Sequence, residues 1–194
     1  MRVNEIFYSL QGEGHYTGAA ALFVRFSGCN LRCPFCDTEH EAWKEMSEEE
    51  IMSEIAKTAA PIVVFTGGEP ALQLTSSLVE RVHWLNKRVH VETNGTVALP
   101  DNVDWVTLSP KNAFLGDAAS PVIGHADEIK VLFDGVHKPE MYPQYGEHVL
   151  RYLQPLDCGD ARRNSATVTA TVEYIKRNPM WRLSLQTHKI INIK

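Results

Sequence analysis

Short apolar, β-branched runs recur along the chain, separated by stretches of helical character. No other feature constrains the fold as much. The runs are ALFVRFS (21–27), IVVFT (62–66), RVHVET (88–93), VDWVTLS (103–109), EIKVLFD (128–134), HVLRYLQ (148–154) and RLSLQT (182–187), each of strand length and composition. EIFYSLQ (5–11) is a further candidate strand. Between them, SEEEIMSEIAKTA (47–59) opens with a capping box, Ser47 capping and Glu50 reaching back. Ile51 and Ile55 then share one helical face. LQLTSSLVERVHWLNK (72–87) and SATVTATVEYIKRN (165–178) read as the other helices, the second stopped by Pro179. This alternation specifies an α/β fold of mainly parallel strands with helices outside. The connections 110–127 and 155–164 are irregular or hold only short helices, and 194 residues fall short of a complete eightfold barrel, which needs roughly 250. The expectation is a partial (β/α) barrel, shortened relative to a full TIM barrel, in one domain over 1–194.

Polar and glycine residues gather just past the strands: Gly28-Cys29, Thr66-Gly67-Gly68-Glu69-Pro70, Glu92-Thr93-Asn94-Gly95, Ser109-Pro110-Lys111, Gln154-Pro155 and Gln186-Thr187. Singly, each is what a turn uses to end a strand. In parallel α/β folds, active sites lie at the carboxyl ends of the strands. Adjacent parallel strands would turn all six clusters onto one cavity.

Net charge is −5 with no Lys/Arg run, which argues against nucleic acid as a direct partner. DARRNS (160–165) reads as a solvated loop. No apolar stretch approaches the ~20 residues of a membrane span. MRVNEIFYSLQGEG (1–14) has neither the apolar core nor the cleavage site of a signal peptide. The expected location is cytoplasmic, where thiols stay reduced. Clustered cysteines there suggest metal or redox chemistry rather than a disulfide framework.

GCNLRCPFC (28–36) holds three of the four cysteines, Cys29, Cys33 and Cys36, in a C-x3-C-x2-C pattern. Thiolates bind zinc, copper(I) or iron–sulfur clusters. His40, four residues past Cys36, would complete a Cys3His zinc site in an interaction module. Three buried structural cysteines are a poorer reading, because the spacing through Pro34 makes a loop with no face to bury them all. An iron–sulfur cluster is the third reading. Three thiolates leave one iron of a four-iron cluster open, whereas a cluster that only carries electrons is usually held by four. An open iron can bind a substrate or cofactor. In TGGEP (66–70), Gly67 and Gly68 let backbone approach a ligand, although Pro70 also suits a plain helix-opening turn. Cys158 has no cysteine partner nearby and reads as a structural or incidental thiol.

Taken together and in order, each after a strand, the cysteine loop and the GGEP turn resemble the two motifs of the radical S-adenosylmethionine (SAM) enzymes. Over nearly its whole length the chain is similar to one subfamily, the 7-carboxy-7-deazaguanine synthases. The likeness rests on EIFYSLQGEG (5–14), FVRFSGCNLRCPFCDT (23–38), FTGGEP (65–70), VETNGT (91–96), LSPK (108–111), YLQPLD (152–157) and LQTHK (185–189). It implies a lyase of 7-deazapurine and queuosine biosynthesis. Such an enzyme converts 6-carboxy-5,6,7,8-tetrahydropterin to 7-carboxy-7-deazaguanine with loss of ammonia.

The resemblance also implies residue roles. Cys29, Cys33 and Cys36 would hold a 4Fe-4S cluster whose open iron SAM chelates. Gly68, Ser109, Pro110, Lys111, Gln154, Pro155, Leu156 and Asp157 would bind SAM. Leu10, Gln11, Gly12, Arg25 and Thr66 would contact the pterin, and Thr38 would ligate Mg2+. Glu13, Glu92 and Gln186 are further site members. A C-terminal contact used in the family is not carried over, because Lys194 stands where a terminal proline is expected. A homodimer is implied, with flavodoxin or ferredoxin as electron donor.

The chemistry of these residues suits the roles. Arg25 offers a planar fork for a carboxylate. Gln11 can pair with a pyrimidinone edge. One threonine hydroxyl is too little for magnesium, so the substrate carboxylate would have to help. His188 is the histidine to test, with packing as its expected role. The nearest enzyme alternative is a glycyl-radical activating enzyme, which shares the cysteine motif but has no need of SLQGEG or a pterin pocket.

Overall fold

The computed structural model describes residues 1–38 and 42–194. Its strands are β1 (Arg2–Leu10), β2 (Ala20–Phe26), β3 (Lys44–Glu45), β4 (Ile62–Gly67), β5 (Arg88–Thr93), β6 (Trp105–Leu108), β7 (Glu128–Phe133), β8 (Leu150–Pro155) and β9 (Arg182–Leu183). The helices are α1 (Glu48–Ala56), α2 (Ser76–Trp84), α3 (Asn112–Leu115), α4 (Ala161–Arg177) and α5 (Thr187–Ile191). The strands form one open sheet in the order β3-β1-β2-β4-β5-β6-β7-β8-β9. From β2 to β9 every pairing is parallel, while β1 and β3 add an antiparallel edge. This is the expected partial barrel.

Local chemistry explains where the elements start and stop. The Ser47–Glu50 capping box opens α1, and Ile51 and Ile55 are its buried residues. α2 begins later than its sequence pattern, because Pro70–Leu72 forms a separate 3-10 turn and Thr75 caps the helix at Leu78 N. α4 begins earlier, at Ala161, capped by Asp160. The run read as a strand over 182–187 pairs only at Arg182–Leu183. Ser184 Oγ turns inward to donate to Gln154 Oε1 at 3.0 Å, and α5 follows.

Alternation along the strands separates two environments. One face carries Leu22, Val24, Phe26, Val63, Phe65, Val89 and Val91 against α1 and α2. Further along, Val106, Leu108, Ile129, Val131, Phe133 and Leu153 pack with Trp181 and residues of α4. The other, concave face has only a small apolar patch, Ala21, Phe23, Ile62 and Val64. Many of its other positions are polar, and neighbours fall in register: Arg25 opposite Thr66, Glu92 opposite Thr107, and Thr107 opposite Glu128.

The β1–β2 connection threads into this concave face. Gly14 N donates to Ser184 Oγ at 3.0 Å, and His15 N donates to Glu128 Oε2 at 2.8 Å. Gly14 has φ +66°, and a Cβ there would lie 2.2 Å from Glu128 Oε1, so only glycine fits. Below it, Tyr16 packs on His90 and Trp105 and closes the amino-terminal end of the strands.

Candidate active site

The carboxyl ends of the strands open into a cavity of about 870 Å³. Cys29, Cys33 and Cys36 are on its wall, and none forms a disulfide. The loop carrying them is braced from β4 and β5. Gly68 N donates to Phe26 O at 3.1 Å, and Glu69 N donates to Gly28 O at 2.9 Å. A Cβ on Gly67 would stand 2.0 Å from Phe26 O, and one on Gly68 would stand 2.0 Å from Gly28 O. The glycine pair is therefore required by the approach of two backbones, a reason separate from any ligand.

Glu69, fully buried, accepts from Thr93 Oγ1 at 2.7 Å, Asn94 N at 2.8 Å and Ala71 N at 3.0 Å. Burial raises its carboxyl pKa against the pull of these bonds. Asn94 Nδ2 donates to Asn30 Oδ1 at 3.1 Å, and Asn30 Nδ2 donates to Thr96 Oγ1 at 2.7 Å. The ETNGT turn thus grips the first half of the cysteine loop.

Leu10, Gln11, Gly12, Arg25, Thr38, Thr66, Gly68, Ser109, Lys111, Gln154, Pro155, Leu156 and Asp157 line the same cavity. Pro110, expected with them, is buried and off the wall. Gln11 Nε2 donates to Glu92 Oε1 at 2.9 Å and its Oε1 accepts from Glu13 N at 3.2 Å, so its amide is oriented with capacity to spare. Gly12 abuts His188, which also lines the cavity: a Cβ on Gly12 would meet its Nδ1 at 2.1 Å. Arg25 lies over the Phe7 ring, with Nη1 3.4 Å from Thr38 Oγ1. Its Nε forms an ion pair with Glu5 Oε1 at 3.1 Å, without the alignment of a hydrogen bond. Lys111 Nζ donates to Ser109 O at 2.6 Å and to Ser109 Oγ at 2.7 Å. Burial pushes it down to about 8.

The sequence profile of the Radical SAM superfamily matches residues 23–112, which hold the cysteine loop, the GGEP turn and the ETNGT turn. A 7-carboxy-7-deazaguanine synthase from Bacteroides thetaiotaomicron is 47% identical over 100% of this chain and 98% of its own length. Another from Nitratidesulfovibrio vulgaris is 41% identical over 99% of this chain and 98% of its own. The chain belongs to the 7-carboxy-7-deazaguanine synthase family. The crystal structure of QueE from Escherichia coli superposes with a TM-score of 0.73 at 27% identity, covering 96% of this chain and 94% of that one.

For a 7-carboxy-7-deazaguanine synthase, the donor set fits an iron–sulfur cluster: three free thiols on one loop facing one cavity. Among the described residues, no three Cys, His, Asp or Glu side chains converge on a point where a single metal ion could sit. His40, the fourth ligand of the zinc reading, lies outside the described residues.

Reading the sequence missed three site residues. Lys130, on the concave side of β7, is buried beside Glu13 and forms an ion pair with it, with Glu92 Oε2 3.7 Å away. Burial works against both charges, but their attraction prevails: the Glu13 carboxyl sits below its ordinary range and the Lys130 ammonium above its own. Asp37 and Lys189 form an ion pair at 3.1 Å at the cavity rim. Asp37 and Lys189 lie in the quoted runs 23–38 and 185–189, but nothing along the chain marks them as partners. A charged residue alternating with apolar ones on a strand normally faces water, and only enclosure by the curved sheet turns Lys130 inward.

Proposed function

We propose that residues 1–194 form one radical SAM domain that converts 6-carboxy-5,6,7,8-tetrahydropterin to 7-carboxy-7-deazaguanine with loss of ammonia. The observation that carries this is the shared cavity, which collects the cysteine loop, the post-strand SAM runs and the SLQGEG segment from five different strand ends. When bound, a 4Fe-4S cluster on Cys29, Cys33 and Cys36 together with SAM supplies the radical chemistry.

The chain's own residues bind, orient and exclude. Arg25, whose guanidinium lines the cavity with Nη1 towards Thr38, takes the pterin carboxylate. Thr38 beside it would offer one oxygen to Mg2+, the substrate carboxylate and water supplying the rest. Gln11, held by Glu92 and Glu13, presents its remaining donor and acceptor to the pyrimidinone edge, with Leu10, Gly12 and Thr66 completing the pocket. Lys130 keeps Glu13 ionised, so Glu13 remains an acceptor for the amino groups of a pterin. Gly68, Ser109, Pro110, Lys111, Gln154, Pro155, Leu156 and Asp157 place SAM, Pro110 through the backbone it fixes rather than by its ring.

The finer proposals concern surroundings. The site is in the cytoplasm and takes its electron from a flavodoxin or ferredoxin. The chain works as a homodimer, a reading supported by exposed apolar side chains at Tyr8, Ile190 and Ile191. No helix among the described residues is long and apolar enough to cross a membrane.

The test is anaerobic reconstitution with iron and sulfide, then incubation with reductant, SAM, Mg2+ and the pterin. The expected result is 7-carboxy-7-deazaguanine by mass in the wild type and none in Cys33→Ala. SAM cleavage without this product would reject the substrate, and a folded protein that binds no iron would reject the radical reading.

A further inference from the structure

Asp37 directly follows Cys36, the third cysteine of the loop. Its Oδ2 accepts from Gln186 Nε2 at 2.9 Å and from Lys189 Nζ at 3.1 Å. The same Lys189 ammonium donates to Asp157 Oδ2 at 2.8 Å and to Gln186 Oε1 at 2.8 Å. All three of its N–H groups are thereby engaged. Asp157 is anchored in turn, its Oδ1 accepting from Gly159 N at 2.9 Å and from Asn164 Nδ2 of α4 at 2.7 Å. Gln186 Nε2 also donates to Glu13 Oε1 at 2.9 Å. One ammonium on α5 therefore ties the end of the cysteine loop to the end of β8, with Gln186 carrying the tie down to the cavity floor.

The two halves of the cysteine loop are held differently. Its first half is gripped by the GGEP and ETNGT turns through backbone and amide bonds. Its second half has a Phe35–Phe114 ring contact at 4.7 Å, the long Arg25–Thr38 contact and the Asp37 tie. The Lys189, Asp37 and Asp157 side chains are 37%, 53% and 31% exposed. Ion pairs this open contribute little to global stability, because water and salt screen them. Their effect is on position.

The geometry points to Lys189 as a positioning residue: its ammonium fixes Cys36 relative to the SAM-binding run at Asp157, so that cluster retention and SAM affinity change together. This inference rests on the function proposed above.

The experiment compares reconstituted full-length wild type, Lys189→Met, Lys189→Arg and Asp37→Asn. Iron release to excess chelator is followed anaerobically, SAM binding is measured by equilibrium dialysis, and the cluster-free proteins are melted. Loss of an outer-shell partner of a metal site costs on the order of 10–100-fold in metal affinity. Lys189→Met should release iron about tenfold faster and bind SAM about tenfold more weakly, with an unchanged cluster-free melting temperature. Asp37→Asn should move both readouts in the same direction. Lys189→Arg keeps the charge and reaches two carboxylates, so it should recover most of both losses. Added salt should speed release from the wild type and leave Lys189→Met unaffected.

Equal release from wild type and Lys189→Met overturns the inference. So does a lowered cluster-free melting temperature in Lys189→Met, which would make the residue merely structural. A wild type that takes up no iron sinks the proposed function itself, a separate and recognisable failure.

Discussion

On β7, residues one apart sit in different worlds. Ile129, Val131 and Phe133 pack into the apolar layer beneath the helices. Glu128 and Lys130 point to the concave side, buried just as deeply, among carboxylates and hydroxyls. The outward side is held by volume and tolerates swaps that conserve it. The inward side is held by pairing, and an unpaired buried charge has no good alternative. One strand thus supplies stability from one set of residues and chemistry from the other.

The sharpest way to break this contrast is at the cavity rim. Cys33→Ala should abolish product while shifting the cluster-free unfolding free energy by no more than about 0.5 kcal/mol, as read by urea denaturation. Residual product would break the contrast outright.

Next comes Lys130→Met, an inward change that should cost about 4 kcal/mol by stranding Glu13 and Glu92. Lys130 holds the Glu13 pKa below its ordinary 4.5. The stabilisation is therefore full above that pH and is lost as pH falls through the depressed value. The gap between wild type and variant should narrow in acid, and a gap independent of pH would assign the loss to packing instead.

Leu78→Ala, on the outward layer, should cost about 3 kcal/mol in the same urea assay and leave the pterin KM unchanged in the surviving folded enzyme. A raised KM would show the two faces to be coupled.

The smallest expected effect is at the closed end of the concave face. His90 is held down to about 4, chiefly by burial, with nearby Arg88 adding to it. Its folded value lies below its ordinary 6.5, so the protein should lose stability as pH falls from above 6.5 towards 4. The loss should reach about 2 kcal/mol by pH 5 and be absent in His90→Phe.

Most of the outward layer was legible in the sequence, because β-branched alternation and the Ser47–Glu50 cap are local signals. So were most residues bound to named motifs: the three cysteines, Gly67 and Gly68 of the GGEP turn, Ser109, Lys111 and the QPLD run line one cavity, with Pro110 off its wall. Illegible were the partners that meet only in space. Gln11 with Glu92 and Lys189 with Asp37 are 81 and 152 residues apart, and neither pair leaves a pattern along the chain. The strand read over 182–187 stops short. Ser184 N still bonds Leu153 O at 2.9 Å, but beyond it the chain leaves the sheet and enters α5 at Thr187.

The threading of the SLQGEG segment into the concave face sets an order of events during synthesis. Gly12 and Gly14 leave the ribosome long before their partners Thr187 and Ser184, with Gly12 O accepting from Thr187 N at 3.0 Å. The outward layer of β2, β4 and β5 with α1 and α2 can collect as it emerges, since its contacts are close along the chain. The cavity cannot, because its floor and rim wait for α5. A nascent chain therefore passes through a stage with a formed scaffold and a cysteine loop held at its first half, the Asp37 tie still to come.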